Sequence, residues 1–116
     1  MNNVTIWHNP RCGKSRAGLK VLEENNCEIE IIKYLYTNPD ENQIKTILKM
    51  LGVTPRELMR TKEAIYKELK LKEETSDDAL ISAMAQNPKL IERPIVIKGS
   101  SAVIGRPTEK IAEFLK

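Results

Sequence analysis

The sequence predicts an α/β domain whose elements run β-α-β, then a helical insert, then β-β-α. Three observations carry that expectation. Near the start, the apolar stretch Val4-Thr5-Ile6-Trp7 is followed by a helical pattern up to Glu24 and then by alternation from Ile29. That spacing makes a βαβ unit with parallel strands and a right-handed crossover. In the middle, Ile44, Ile47, Leu48 and Leu51 recur at the i, i+3, i+4, i+7 positions of one helix face. Near the end, Ile95-Val96-Ile97 and Ala102-Val103-Ile104 flank Lys98-Gly99-Ser100-Ser101, the pattern of a β-hairpin.

In chain order, residues 3–8 read as strand one and residues 13–25 as helix one. Ala17, Gly18, Val21 and Leu22 form the inward face of that helix. Glycine lowers helix stability relative to alanine, so Gly18 marks a place of close packing. Asn25-Asn26 ends the helix, and strand two runs from Ile29 to Tyr34, with Glu28, Glu30 and Lys33 facing out. Asn38-Pro39-Asp40-Glu41 reads as an N-cap, a proline at the first helical position and an acid three residues after the cap. The helix it opens closes at Gly52. Thr54-Pro55-Arg56-Glu57 repeats the capping pattern for a short helix through Met59, Lys62 to Leu69 is another helical run, and Asp77 to Asn87 a further helix with Leu80, Ile81 and Met84 inward. After the hairpin, Gly105-Arg106-Pro107 turns into a last helix that buries Ile111, Phe114 and Leu115.

A βαβ unit joined to a ββα unit is the thioredoxin-like arrangement. The expectation is a four-stranded mixed sheet in the order 2-1-3-4, with the antiparallel pairings confined to the hairpin strands and the helical insert between strands two and three. The 116 residues suit one domain spanning 1–116. Hydrophobic content of 41% with 30% charged residues excludes a disordered chain. The net charge of +3 is spread among acids, so no nucleic-acid stripe forms, and a small anion fits better than a long polyanion. No apolar run reaches membrane-spanning length and no signal pattern opens the chain, so a cytoplasmic protein is expected. In that compartment Cys12 and Cys27 argue against a structural disulfide. With His8 they offer too few ligands for a structural zinc, so no metal is expected.

The chemistry concentrates in Trp7-His8-Asn9-Pro10-Arg11-Cys12-Gly13-Lys14-Ser15-Arg16. Proline disfavours helix at the residue before it, so Asn9-Pro10 bends the chain between strand one and helix one. Cys12 therefore falls at a helix N-terminus, where unpaired N–H groups and the positive end of the helix dipole favour a thiolate. Ser15 can add a hydroxyl hydrogen bond to the sulfur, and Arg11, Lys14 and Arg16 add positive charge. Two phosphate-loop readings fail on spacing. A Walker-type loop ending in Gly13-Lys14-Ser15 needs glycine where His8 stands, and a Cys-x5-Arg loop needs arginine where Gly18 stands.

Arginines stand at three element ends: Arg60, Arg93 and Arg106. For any one of them, a solvated surface position is the ordinary explanation. Topology argues for more. Strand three runs antiparallel to strand one, so its start at Arg93 falls near Cys12. Strand four ends at the same sheet edge and brings Arg106 there. Topology alone does not place Arg60. Arginine suits an oxyanion because its planar fork donates two hydrogen bonds at once. Arg16 and Arg56 read as surface arginines.

Together these residues resemble a known family. His8-Asn9-Pro10-x-Cys12-Gly13-x-Ser15-Arg16, Leu58-x-Arg60, Arg93-Pro94-Ile95-Val96 and Arg106-Pro107 are similar to the ArsC/Spx family, on the side of its glutaredoxin-coupled arsenate reductases. The resemblance implies Cys12 as catalytic nucleophile, His8 and Ser15 as thiolate-stabilising residues, and Arg60, Arg93 and Arg106 as oxyanion-binding residues. It implies a cis-proline at Pro94, beside which an extended peptide such as glutathione could pair with backbone. It implies arsenate or a similar oxyanion as substrate, glutathione as co-substrate, glutaredoxin as partner, no bound cofactor and a monomer. Two alternatives are a thiol oxidoreductase acting on another substrate and an Spx-like regulator that binds RNA polymerase. The regulator branch often has Cys-x-x-Cys here, and Ser15 occupies the second cysteine's place.

Overall fold

The computed structural model describes residues 3–74 and 76–116. In chain order the elements are β1 (Asn3–Trp7), α1 (Gly13–Glu24), β2 (Glu28–Ile32), α2 (Tyr34–Thr37), α3 (Glu41–Leu51), α4 (Pro55–Leu58), α5 (Ala64–Glu68), α6 (Asp77–Gln86), β3 (Ile95–Lys98), β4 (Ser101–Ile104) and α7 (Glu109–Leu115). Short 3-10 turns occupy Leu71–Glu73 and Pro88–Leu90. Two compact units result: Met1–Thr37 with Arg93–Lys116, and Asn38–Glu92.

The first unit holds the sheet, in the order β2-β1-β3-β4. β1 and β2 are parallel, while β3 is antiparallel to both β1 and β4. This is the thioredoxin-like arrangement that the element order predicts. Val4, Ile6 and Val96 from the sheet meet Leu22 of α1 and Ile111 and Leu115 of α7 in one core. α1 buries Gly18 and Leu22, as the pattern reads, and adds Ser15, while Ala17 and Val21 are half-buried. Gly18 is a point of close approach: a Cβ there would lie 2.8 Å from Pro94 Cγ and 3.0 Å from Ile111 Cδ1. Alanine at that position would overpack the α1–α7 seam.

β2 ends two residues earlier than the alternation suggests. Tyr34 turns into α2 and stacks its ring on Trp7, with centroids 6.1 Å apart. Burying one large aromatic against another outweighs extending an edge strand.

The second unit is helical. The N-cap of α3 is Asp40, not Asn38. The Asp40 side chain accepts the Gln43 N–H at 2.8 Å, and the Gln43 side chain accepts the Asp40 N–H at 2.9 Å. Asn38 instead takes φ +48°, a left-handed turn that asparagine tolerates. Thr54 and Glu57 form the second capping box, at the positions the sequence indicates. Ile44, Ile47 and Leu48 of α3 are buried, as are Leu80, Ile81, Ala83 and Met84 of α6. Arg56 is not a surface residue. Its Nη1 donates to the Tyr66 hydroxyl and to Leu71 O at 3.0 Å, and its Nη2 donates to Glu74 O. Among the described residues, no helix is long and apolar enough to cross a membrane.

Candidate active site

Three chain segments leave the sheet from one row. Trp7 pairs with Ile95, and Ile95 with Ile104. The residues just beyond these positions are the His8–Cys12 loop, Arg93-Pro94 and Gly105-Arg106, and that register sets the site. The Arg93–Pro94 peptide is cis, and so is Arg106–Pro107.

Cys12 is the N-cap of α1, in extended backbone with φ −94° and ψ 123°. Its carbonyl accepts the Arg16 N–H at 3.0 Å, and its own N–H donates to Asn9 O at 3.0 Å. The sulfur makes no full capping hydrogen bond. It still lies within the field of the first-turn amides. Burial, the largest single influence, pushes the thiol pKa up from its ordinary 9.0. The Ser15 N–H, the Arg93 charge, the Lys14 N–H and an Arg93 side-chain N–H together outweigh burial, and the net shift is downward. The contribution of Lys14 thus comes from its backbone. Gly13 at the first helical position sets the amides of residues 14 and 15 in the first turn, a signal the sequence does carry.

Ser15 acts differently from the sequence reading. Its hydroxyl does not reach out to the sulfur. Ser15 Oγ accepts the Asn9 N–H at 2.9 Å and lies 2.7 Å from His8 Nδ1. The pair is deep, with Ser15 fully buried and His8 at 5% exposure. Burial lowers the His8 pKa, and the charges of Lys33 and Arg16 lower it further, so the ring is neutral near pH 7. His8, Asn9 and Ser15 therefore brace the loop that presents Cys12. Asn9, beyond bending the chain, is the third member of that brace. Its Oδ1 also accepts the Arg11 N–H at 3.1 Å. Arg16 closes the loop from outside by donating to Pro10 O at 2.9 Å.

Two arginines face the sulfur. Arg106 Nε donates to Arg93 O at 2.8 Å, and its Nη2 reaches Cys12 Sγ at 3.9 Å. Arg93 is 8% exposed, and its Nε and Nη1 are buried with no hydrogen-bond partner. A buried guanidinium with idle donors is costly unless something anionic completes it. Beside a thiol shifted toward its anionic form, those donors have the chemistry to receive an anion.

Arg60 lies in the second unit. Its Nη1 is paired with Glu63, and its Nε lies 3.8 Å from Glu92 Oε1. Cys27 stands at the opposite end of the strands from Cys12, just before β2, and packs against the core of the first unit. Among the described residues, no group of three His, Cys, Asp or Glu is placed to hold a metal ion.

Comparison with known proteins gives a consistent result. The model of the ArsC family matches residues 7–114. The chain is 47% identical to an arsenate reductase of Neisseria meningitidis over 117 residues, covering 99% of this chain and all of that protein. It is 51% identical to the Escherichia coli (strain K12) protein YfgD, described as uncharacterized, over 97% of this chain and 96% of that one. Among solved structures, an arsenate reductase from Vibrio cholerae superposes with a TM-score of 0.93 at 47% identity, covering 97% of each chain.

Proposed function

The chain belongs to the ArsC family, and from that premise we propose that it reduces arsenate to arsenite, with Cys12 as the single nucleophilic cysteine. Electrons come from glutathione, and glutaredoxin recycles the enzyme. The protein works as a cytoplasmic monomer. One observation carries the reading: Arg93 holds two buried, unpartnered nitrogens beside a thiol whose pKa is lowered.

The steps follow from those groups. Arg93 and Arg106 bind arsenate by charge-assisted hydrogen bonds and spread its negative charge. Arg60 has the same task by family resemblance. The Cys12 thiolate attacks arsenic, an As–S bond forms, and an arsenate oxygen leaves as water after protonation. Glutathione thiolate then attacks the Cys12 sulfur. The As–S bond breaks with its electron pair going to arsenic, which falls from the +5 to the +3 state and departs as arsenite. The two thiols have given up two electrons and are joined as a Cys12–glutathione disulfide. Glutathione docks as an extended peptide along the backbone at Pro94. Glutaredoxin takes the glutathionyl group and frees the Cys12 thiolate. His8 and Ser15 stabilise that thiolate indirectly, by holding the loop so that the Lys14 and Ser15 amides meet the sulfur.

The test is arsenite formation by purified protein with glutathione and glutaredoxin. Cys12→Ser should abolish turnover, and Cys27→Ala should retain it. Mass spectrometry should find the glutathionyl group on Cys12 after one turnover without glutaredoxin. An active protein that carries no glutathione on Cys12, or that needs Cys27, refutes the single-cysteine cycle. A protein that exchanges disulfides but forms no arsenite is a thiol oxidoreductase for another substrate.

A further inference from the structure

Arg60 is held by a short stretch of paired backbone. Met59 and Ile91 form an isolated antiparallel bridge. The Arg60 N–H donates to Leu90 O at 2.7 Å, and the Glu92 N–H donates to Leu58 O at 2.8 Å. Leu58, Met59, Leu90 and Ile91 are all buried. Arg60 thus stands opposite Leu90 and Glu92 opposite Leu58, diagonally across this bridge, and their side chains approach to 3.8 Å. Glu63, whose N–H donates to Arg60 O at 3.2 Å, brings a second carboxylate from the turn that follows. Both carboxylates meet the same guanidinium: Glu63 at Nη1 and Glu92 near Nε.

A carboxylate and a tetrahedral oxyanion use the guanidinium fork in the same way. The two edges of the Arg60 fork are Nη1/Nη2 and Nε/Nη2, so an oxyanion on the first must displace Glu63 and one on the second must draw Nε away from Glu92. We propose that Glu63 and Glu92 form an internal carboxylate clamp that competes with the substrate for Arg60 and so sets the enzyme's oxyanion affinity. This rests on the reading of Arg60 as an oxyanion-binding residue, and it adds two residues that tune the site without touching the reacting atoms. The exchange makes and breaks no covalent bond. One guanidinium–carboxylate pair is traded for a guanidinium–oxyanion pair.

The clamp is partly solvated, with Arg60, Glu63 and Glu92 side chains 28%, 25% and 26% exposed. Water and salt weaken such a pair, so the competition is modest, about two- to five-fold in affinity. It should fade as ionic strength rises.

The experiment compares Glu63→Gln, Glu92→Gln and Arg60→Ala in the full-length protein, reading KM and kcat for arsenate separately and recording thermal unfolding as a fold control. The clamp predicts that Glu63→Gln lowers KM for arsenate by about two- to five-fold with kcat nearly unchanged. Glu92→Gln should act in the same direction and more weakly, because its contact is longer. Arg60→Ala should raise KM. If Arg60→Ala raises KM while both glutamine variants leave it unchanged, the clamp is wrong and the role of Arg60 stands. A rise in KM for Glu63→Gln also overturns the clamp, since Glu63 would then position Arg60 rather than compete for it. If Arg60→Ala leaves KM unchanged, the oxyanion-binding reading of Arg60 fails and the clamp falls with it.

Discussion

Arg93 and Arg56 are the same side chain used in opposite ways. Arg56, in the helical unit, spends its guanidinium on the Tyr66 hydroxyl and the carbonyls of Leu71 and Glu74. These bonds tie the start of α4 to the middle of α5 and to the Leu71–Glu73 turn, and the groups they satisfy belong to the protein. Arg93, at the sheet edge of the other unit, is more deeply buried, yet its Nε and Nη1 have no protein partner. A saturated arginine holds a fold together. An unsaturated one stores binding capacity for a ligand that the chain does not itself supply. Burial alone does not separate the two, whereas an account of every donor does.

Alanine substitution is the harshest test of that contrast. Arg93→Ala should lower kcat/KM for arsenate about 10²- to 10³-fold, because it removes donors aimed at charge that develops during attack. Its thermal stability should fall less than that of Arg56→Ala, since Nε and Nη1 have no partner to lose. Arg56→Ala should do the reverse. Stability should drop by about 2–3 kcal/mol, as the Tyr66, Leu71 and Glu74 oxygens lose their donor. Catalytic efficiency measured well below the unfolding midpoint should survive. If both variants lose activity in proportion to stability, the distinction between the two arginines is false.

A gentler test reads the thiol. The rate of Cys12 alkylation against pH should show a midpoint below 9.0 in the native protein. Arg93→Ala should move that midpoint upward, because the arginine's charge and N–H both favour the thiolate while burial continues to oppose it. Arg56→Ala should leave the midpoint where it is. A native midpoint at or above 9.0 would remove the thiolate from the proposal.

The smallest expected effect belongs to His8. Its folded pKa is lowered from 6.5 by burial and by Lys33 and Arg16. As pH falls through 6.5, the unfolded chain takes up a proton on His8 before the folded chain does. Acid therefore costs stability in the window from 6.5 down to the lowered value, and the loss levels off below it. His8→Gln keeps a polar partner for Ser15 and cannot titrate. The difference in unfolding temperature between the two proteins should shift in favour of the variant between pH 7 and pH 5.5. A pH-independent difference would mean that His8 is not buried neutral.

Much of this molecule was determined by sequence alone. The periods of two and 3.6 name the elements, and the order βαβ then ββα is that of the thioredoxin-like arrangement, whose sheet order is the one observed. Asn9-Pro10 followed by Gly13 places Cys12 at a helix start, because local backbone preferences suffice for that. Antiparallel pairing of β3 with β1, expected of that arrangement, carries Arg93 and Arg106 to the same sheet edge. Tertiary structure decided how the side chains are spent. The Ser15 hydroxyl turns inward to His8 and Asn9, while its amide serves the sulfur. Arg56 is consumed within its unit, Arg60 meets Glu63 and Glu92, and Arg93 keeps two donors idle. Likewise, Asp40 rather than Asn38 caps α3. Sequence spacing sets which residues share an edge or a turn. The allocation of each donor depends on which acceptors the folded chain brings within about 3 Å, and only the packed structure determines that.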